Sequence, residues 1–135
     1  MPLWVIFHPE GILTTHESKQ TLAADITSFY TRVGLPPFYV VIEFVTVPHT
    51  NTFVGGQNPT APFIRIMVDH IAAHANTEAH MFRQSDTLDG TLKKHFADKG
   101  YSWEFHVDHT PRELWKVNGF RPPPRKYHFS WTGAC

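Results

Sequence analysis

The chain has 135 residues, with 12 Lys and Arg against 12 Asp and Glu, 10 His and one Cys. That length holds one hydrophobic core and is too short for two ordinary ones, and the balanced charge points away from nucleic acid, anionic membranes and polybasic partners, toward a small organic substrate. The lone Cys135 cannot form an intrachain disulfide, LWVIF is too short and lacks the basic flank of a signal peptide, and no stretch approaches the ~18 apolar residues of a membrane span, so a cytoplasmic setting is expected.

In chain order, MPLWVIF reads as a strand and HPEG as a turn. Thr14 with Glu17 three residues on forms a capping-box pattern, and Leu22, Ile26, Phe29, Tyr30 and Val33 recur at helical spacing, which predicts a helix over about 17–33 stopped by Gly34, Pro36 and Pro37. FYVVIEFVTV is apolar on both parities except for Glu43, as a strand buried on both faces would be, and HTNTFVGG turns the chain. The order then repeats. PFIRIMVDHI reads as a strand, a helical stretch carries Phe82, Leu88, Leu92 and Phe96 before Gly100, and YSWEFHVDH reads as a strand. Gly90 inside the second helix costs about 1 kcal/mol relative to alanine.

Two β-α-β units follow from this order, about 2–56 and 61–109, with an irregular C-terminal arm over about 110–135 that includes RPPPRKYHFSW. The expected fold is α/β (α+β): one domain with a four-stranded, mostly parallel sheet and both helices on one face. Its other face lacks cover from its own chain, and association would supply that cover.

The proline behind the initiator methionine carries distinctive chemistry. With Met1 removed, Pro2 becomes a terminal secondary amine, and burial or nearby cations lower its pKa below the reference range of about 7.7–8.0, leaving a neutral general base in a rigid ring. Position alone fits an incidental proline ahead of an edge strand better than a catalytic one.

The leading MP, the EG turn, KQTLA, TFVGG and the doubled unit resemble the tautomerase superfamily, relatives of 4-oxalocrotonate tautomerase. The double length is similar to the cis-3-chloroacrylic acid dehalogenase branch, and HPEG, GLPPFYV, FIRIMVDHIA and WEFHVDHTPRELWKVNGFRPPP, over about residues 1–125, resemble its fungal tautomerase group. The resemblance implies a cofactor-free homotrimer whose catalytic group is the N-terminal proline. It matches Tyr30 to the branch's helical histidine, as a residue that can still donate a hydrogen bond, although Tyr30 also falls on the apolar helix face where packing would explain it.

Where the branch places two arginines, His70 stands at the first and Ala73 or His74 at the second, so the carboxylate clamp is altered. Arg65 and Arg112 are candidate replacements, though strand parity sets Arg65 opposite Ile64 and Ile66, and Arg112 reads as readily as a solvated charge. The water-activating glutamate falls on Val117, with Glu113 nearby, and the early arginine of short tautomerases falls near Ile12. Phe105 and His106 occupy the region of the branch's tyrosine, making His106 a candidate donor, and Trp115 is a candidate pocket wall or a packing residue.

The expected catalytic set is therefore Pro2, Tyr30 and His70, with Arg112, His106, His74 and Trp115 binding a small carbonyl or carboxylic acid. A histidine metal site drawn from His70, His74, His80, His106 and His109 competes with this expectation, but HIAAH lacks the glutamate of HExxH. The same fold would also suit a non-catalytic trimeric protein that binds a small molecule, or a hydratase or dehalogenase.

Overall fold

Alternation along the first strand sets the two faces of the sheet. In a computed structural model, which describes residues 1–122, β1 (Pro2–Pro9) buries Pro2, Trp4, Ile6 and His8 and leaves the intervening residues partly exposed. The proline-rich, basic tail beyond Pro122, with Cys135, lies outside the described residues.

After β1 come α1 (His16–Thr31), β2 (Val41–Val47), β3 (Phe63–Ile71), α2 (Glu78–Phe96) and β4 (Ser102–Thr110). The sheet order is β2-β1-β3-β4. Each β-α-β unit pairs its own strands in parallel, and the units join through antiparallel β1 and β3, from Pro2 opposite His70 to Phe7 opposite Arg65. The sheet is thus mixed, with two parallel pairs flanking one antiparallel pair. Trp4, Ile6, Ile64, Ile66 and Val68 pack against Leu22, Ile26 and Phe29 of α1 and Leu88, Leu92 and Phe96 of α2. Two polar contacts tie the helical layer down: His95 to Asp25 between the helices at 2.7 Å, and Trp103 Nε1 donating to Asp89 at 2.9 Å. Among the described residues no helix is long and apolar enough to cross a membrane.

Three details differ from the sequence reading. Thr15, not Thr14, caps α1: its backbone is extended and its hydroxyl accepts from the Ser18 amide at 3.1 Å, so Glu17 falls one place short of the capping-box position. β2 is an edge strand, and in the single chain its Glu43 and Val45 side is exposed rather than buried on both faces. Phe82 is exposed, while Gln84 takes the inward position. The stripe Gln84, Leu88, Leu92, Phe96 steps by four, one phase away from Phe82, and opens on a polar residue because the site described next supplies it with a partner.

The second face carries Leu3, Val5 and Phe7 of β1, Val41 and Val45 of β2 and Met67 of β3, with Met67 43 % exposed. Across β3 and β4 the same face is charged: Arg65 pairs with Glu104 at 3.0 Å and donates to His106, which reaches Asp108.

Candidate functional site

The antiparallel register brings the first residue of β1 beside the end of β3, with Pro2 opposite His70 on the helix-facing side. Parallel pairing of β3 with β4 then sets His109 beside His70. α1 runs back toward the start of β1, so its last turn delivers Tyr30 to the same end of the sheet, and the second turn of α2 delivers Gln84. Met1 extends the pairing: its amino group donates to the Ile71 carbonyl at 2.6 Å, and the Ile71 amide donates to the Met1 carbonyl at 2.7 Å.

Four buried side chains form a continuous polar series here. Trp4 Nε1 donates to Tyr30 Oη at 2.9 Å, Tyr30 Oη lies 2.7 Å from His70 Nε2, and Gln84 Nε2 lies 3.1 Å from His70 Nδ1. Tyr30 stands edge-on to both Trp4 and His70. Burial pushes the Tyr30 phenol upward, against the opposing pull of the Trp4 hydrogen bond, so it stays protonated. Burial first, then the nearby His109, amino terminus and His74, push His70 down to about 3, so near neutrality it is an uncharged imidazole.

Two further histidines edge the cluster. His109 stacks nearly parallel to His70, with centroids 6.1 Å apart, and His74 tilts against His109 at 5.1 Å. His74 reaches back because Ala72 adopts a left-handed φ of 61°, turning the chain just past β3. The His109 pKa is lowered by burial and by His74, against the opposing pull of Asp108 and Asp69, and its buried Nε2 has no hydrogen-bond partner among the described residues.

Pro2, Tyr30, His70 and His74 therefore converge. As a carboxylate clamp His70 is poorly suited, since both its ring nitrogens are engaged by neighbours and it carries no charge near neutrality. Arg112 follows β4 and donates to the Pro122 carbonyl, while its buried Nε lacks a partner among the described residues. Trp115 packs edge-on against Tyr39, 5.8 Å away, just before β2, so the segment after β4 crosses the Pro2 end of the sheet. His106 is not brought to the cluster: it lies on the opposite face with Arg65 and Asp108. Glu113 is exposed, and Val117 sits in a turn bridged to Phe120. Ile12 lines a cleft of about 270 Å³ with His8, Glu10 and Lys19 at the far end of β1.

A histidine metal site finds little support in this geometry, because both His70 nitrogens are occupied and, among the described residues, no three His, Cys, Asp or Glu side chains are grouped to share an ion. Sequence reading missed Trp4 and Gln84 and named His109 only as a metal ligand. Trp4 was recoverable from its alternation with Pro2, and Gln84 from its spacing with Leu88; His109 needed the strand register.

Residues 1–132 match the model of a family described as "Putative oxalocrotonate tautomerase enzyme". The chain is similar to native RhCC from Rhodococcus jostii RHA1, at 37% identity and a TM-score of 0.86 over 93% of this chain and 89% of that one. It is also similar to a protein described as "a probable enzyme" from Aspergillus fumigatus, at 35% identity and a TM-score of 0.84 over 94% and 87%. N1, a member of the cis-3-chloroacrylic acid dehalogenase family, shares the fold at 18% identity and a TM-score of 0.69 over 92% and 86%. No curated protein matches the chain.

Proposed function

The chain belongs to this oxalocrotonate tautomerase family, and from that premise we propose that it is a cofactor-independent tautomerase in which Pro2, freed by loss of Met1, acts as general base on a small keto-enol or unsaturated carboxylic acid. The observation that carries this reading is the pairing of Pro2 with His70 on the face where Tyr30 also arrives. A ring-held amine accepts a proton from the substrate carbon or enol, and a protonated Tyr30 donates to the substrate oxygen that gains negative charge. A positioned base of this kind contributes roughly 10² to 10⁴-fold.

Neutral His70 suits a supporting role beside Tyr30. His74, Arg112 and Trp115 are the candidates to meet the substrate carboxylate and the remainder of the ligand. Hydrolytic dehalogenation is disfavoured, since Val117 stands where the related branch carries its water-activating glutamate and cannot accept a proton. The protein acts as a homotrimer in this reading, and the apolar stretch of the open sheet face supports that association.

The test is turnover of phenylenolpyruvate by the parent and by Pro2→Ala, each with the intact mass recorded to establish that Met1 is gone. Loss of about 10²-fold or more in the variant is expected; equal turnover rejects the proline mechanism.

A further inference from the structure

The series from Trp4 to Gln84 has a direction, fixed at its two ends. The Trp4 indole nitrogen is only a donor, and it donates to Tyr30 Oη. At the other end the Gln84 amide nitrogen faces His70 Nδ1, and an amide nitrogen is likewise only a donor, so Nδ1 offers its lone pair. A neutral imidazole has one N–H. It therefore sits on Nε2 and is donated to Tyr30 Oη across 2.7 Å. Two donors converge on one phenol oxygen, and the phenol's own proton is spent on neither.

We propose that Gln84 is a positioning residue which, through the tautomer of His70, holds Tyr30 as a hydrogen-bond donor to a carbonyl or enolate oxygen of a substrate at Pro2. The inference rests on the proposed role of Pro2 as the base. Pro2 and His70 are cross-strand partners on one face, so the Tyr30 proton and the Pro2 nitrogen address neighbouring atoms of one small ligand. In the step, the Pro2 nitrogen takes a proton from the carbon beside the carbonyl and the C–H electron pair becomes the new C=C bond. The C=O pair moves onto oxygen, and Tyr30 hydrogen-bonds to that oxygen without releasing its own proton. Return of the proton from Pro2 to another carbon or to the oxygen closes the cycle.

The residue type at position 84 supports this role. It opens an inward stripe otherwise made of Leu88, Leu92 and Phe96, where an apolar side chain would fill the space without needing a polar partner. The His70 environment also keeps the arrangement from reversing by protonation near neutral pH, since its pKa is pushed down to about 3.

Long-range ¹H–¹⁵N correlation spectra of histidine-labelled protein at pH 7 read the tautomer directly, without substrate. The expected parent spectrum has His70 protonated on Nε2 and unprotonated on Nδ1, and Gln84→Met loses that fixed preference. A parent His70 protonated on Nδ1 overturns the proposal, because Tyr30 then donates to His70, and this result stands even if Gln84→Met does not fold. With phenylenolpyruvate, Gln84→Met is expected to lower kcat by about tenfold with KM nearly unchanged, whereas an unchanged kcat also overturns it. Failure of the proline mechanism would appear separately, as equal turnover by Pro2→Ala with the His70 tautomer as described.

Discussion

Tyr30 and His70 meet in the interior, phenol oxygen to Nε2 at 2.7 Å, with rings edge to face and exposures of 5 % and 4 %. One comes from the end of α1 and the other from the end of β3, so this side-chain contact links the two β-α-β units next to Pro2, alongside the β1–β3 ladder. Fold and site share this contact, which makes its removal informative about both.

Tyr30→Phe keeps the ring and removes only the oxygen. The Trp4 N–H and His70 Nε2 then lose their shared partner inside the protein, and the variant is expected to lose about 1 to 3 kcal/mol of stability. If Tyr30 also donates to substrate, kcat on phenylenolpyruvate falls by roughly 10²-fold or more. Urea unfolding and steady-state kinetics on the same preparation separate the two effects. A purely structural tyrosine would lose stability and retain turnover.

The uncharged state of His70 has a pH signature. Its folded pKa is lowered from 6.5 to about 3, so between these values the unfolded chain binds a proton that the folded chain does not. The stabilising contribution is fully present above pH 6.5 and is lost as pH falls toward 3, at up to about 1.4 kcal/mol per pH unit. His109 is shifted in the same direction and adds to the slope. Urea midpoints from pH 7 to pH 4 should fall more steeply for the parent than for His70→Gln, which replaces the titrating ring with a neutral side chain. Equal slopes would mean that His70 is not held neutral.

Gly90 offers a test of local propensity away from the site. It lies on the exposed side of α2, and a Cβ built there meets nothing within 4 Å. Gly90→Ala should therefore gain about 1 kcal/mol through the lower conformational entropy of the unfolded chain. Thermal unfolding checks the sign, and turnover should be unaffected.

Strand and helix positions were legible because their signals are periodic and local. The short apolar run LWVIF, the steps from Leu22 to Tyr30 and the stops at Gly34 and Gly100 each report one element, and the doubled order predicted the four-stranded sheet. Pairing between units was harder to read. Whether His109 or His106 approaches Pro2 depends on strand parity and on the Pro2–His70 register, and the register is set by packing across some 70 residues of chain. Gln84 was obscured differently: a polar residue at an apolar position is informative only once His70 is seen facing it. Phe82, chosen for its hydrophobicity, points outward, and helix phase rather than residue type decided the matter.

The open face of the sheet is the remaining feature that a single chain leaves unexplained. Leu3, Val5, Phe7, Val41, Val45 and Met67 form a largely apolar stretch across β1, β2 and β3, interrupted by Glu43 opposite Val5 and bounded by the charged group of Arg65, Glu104, His106 and Asp108. An exposed apolar stretch of this kind marks an association surface. The parent is expected to run by light scattering at three times its 15.5 kDa chain mass. Val45 is exposed on the single chain and faces Phe7 across the β1–β2 pair, so Val45→Asp would place a charge against an apolar neighbour in the assembly and in water on the isolated chain. The variant should therefore fall to the mass of one chain while keeping the parent's circular dichroism. A parent that is monomeric at micromolar concentration would contradict the trimer and leave the apolar stretch to some other partner.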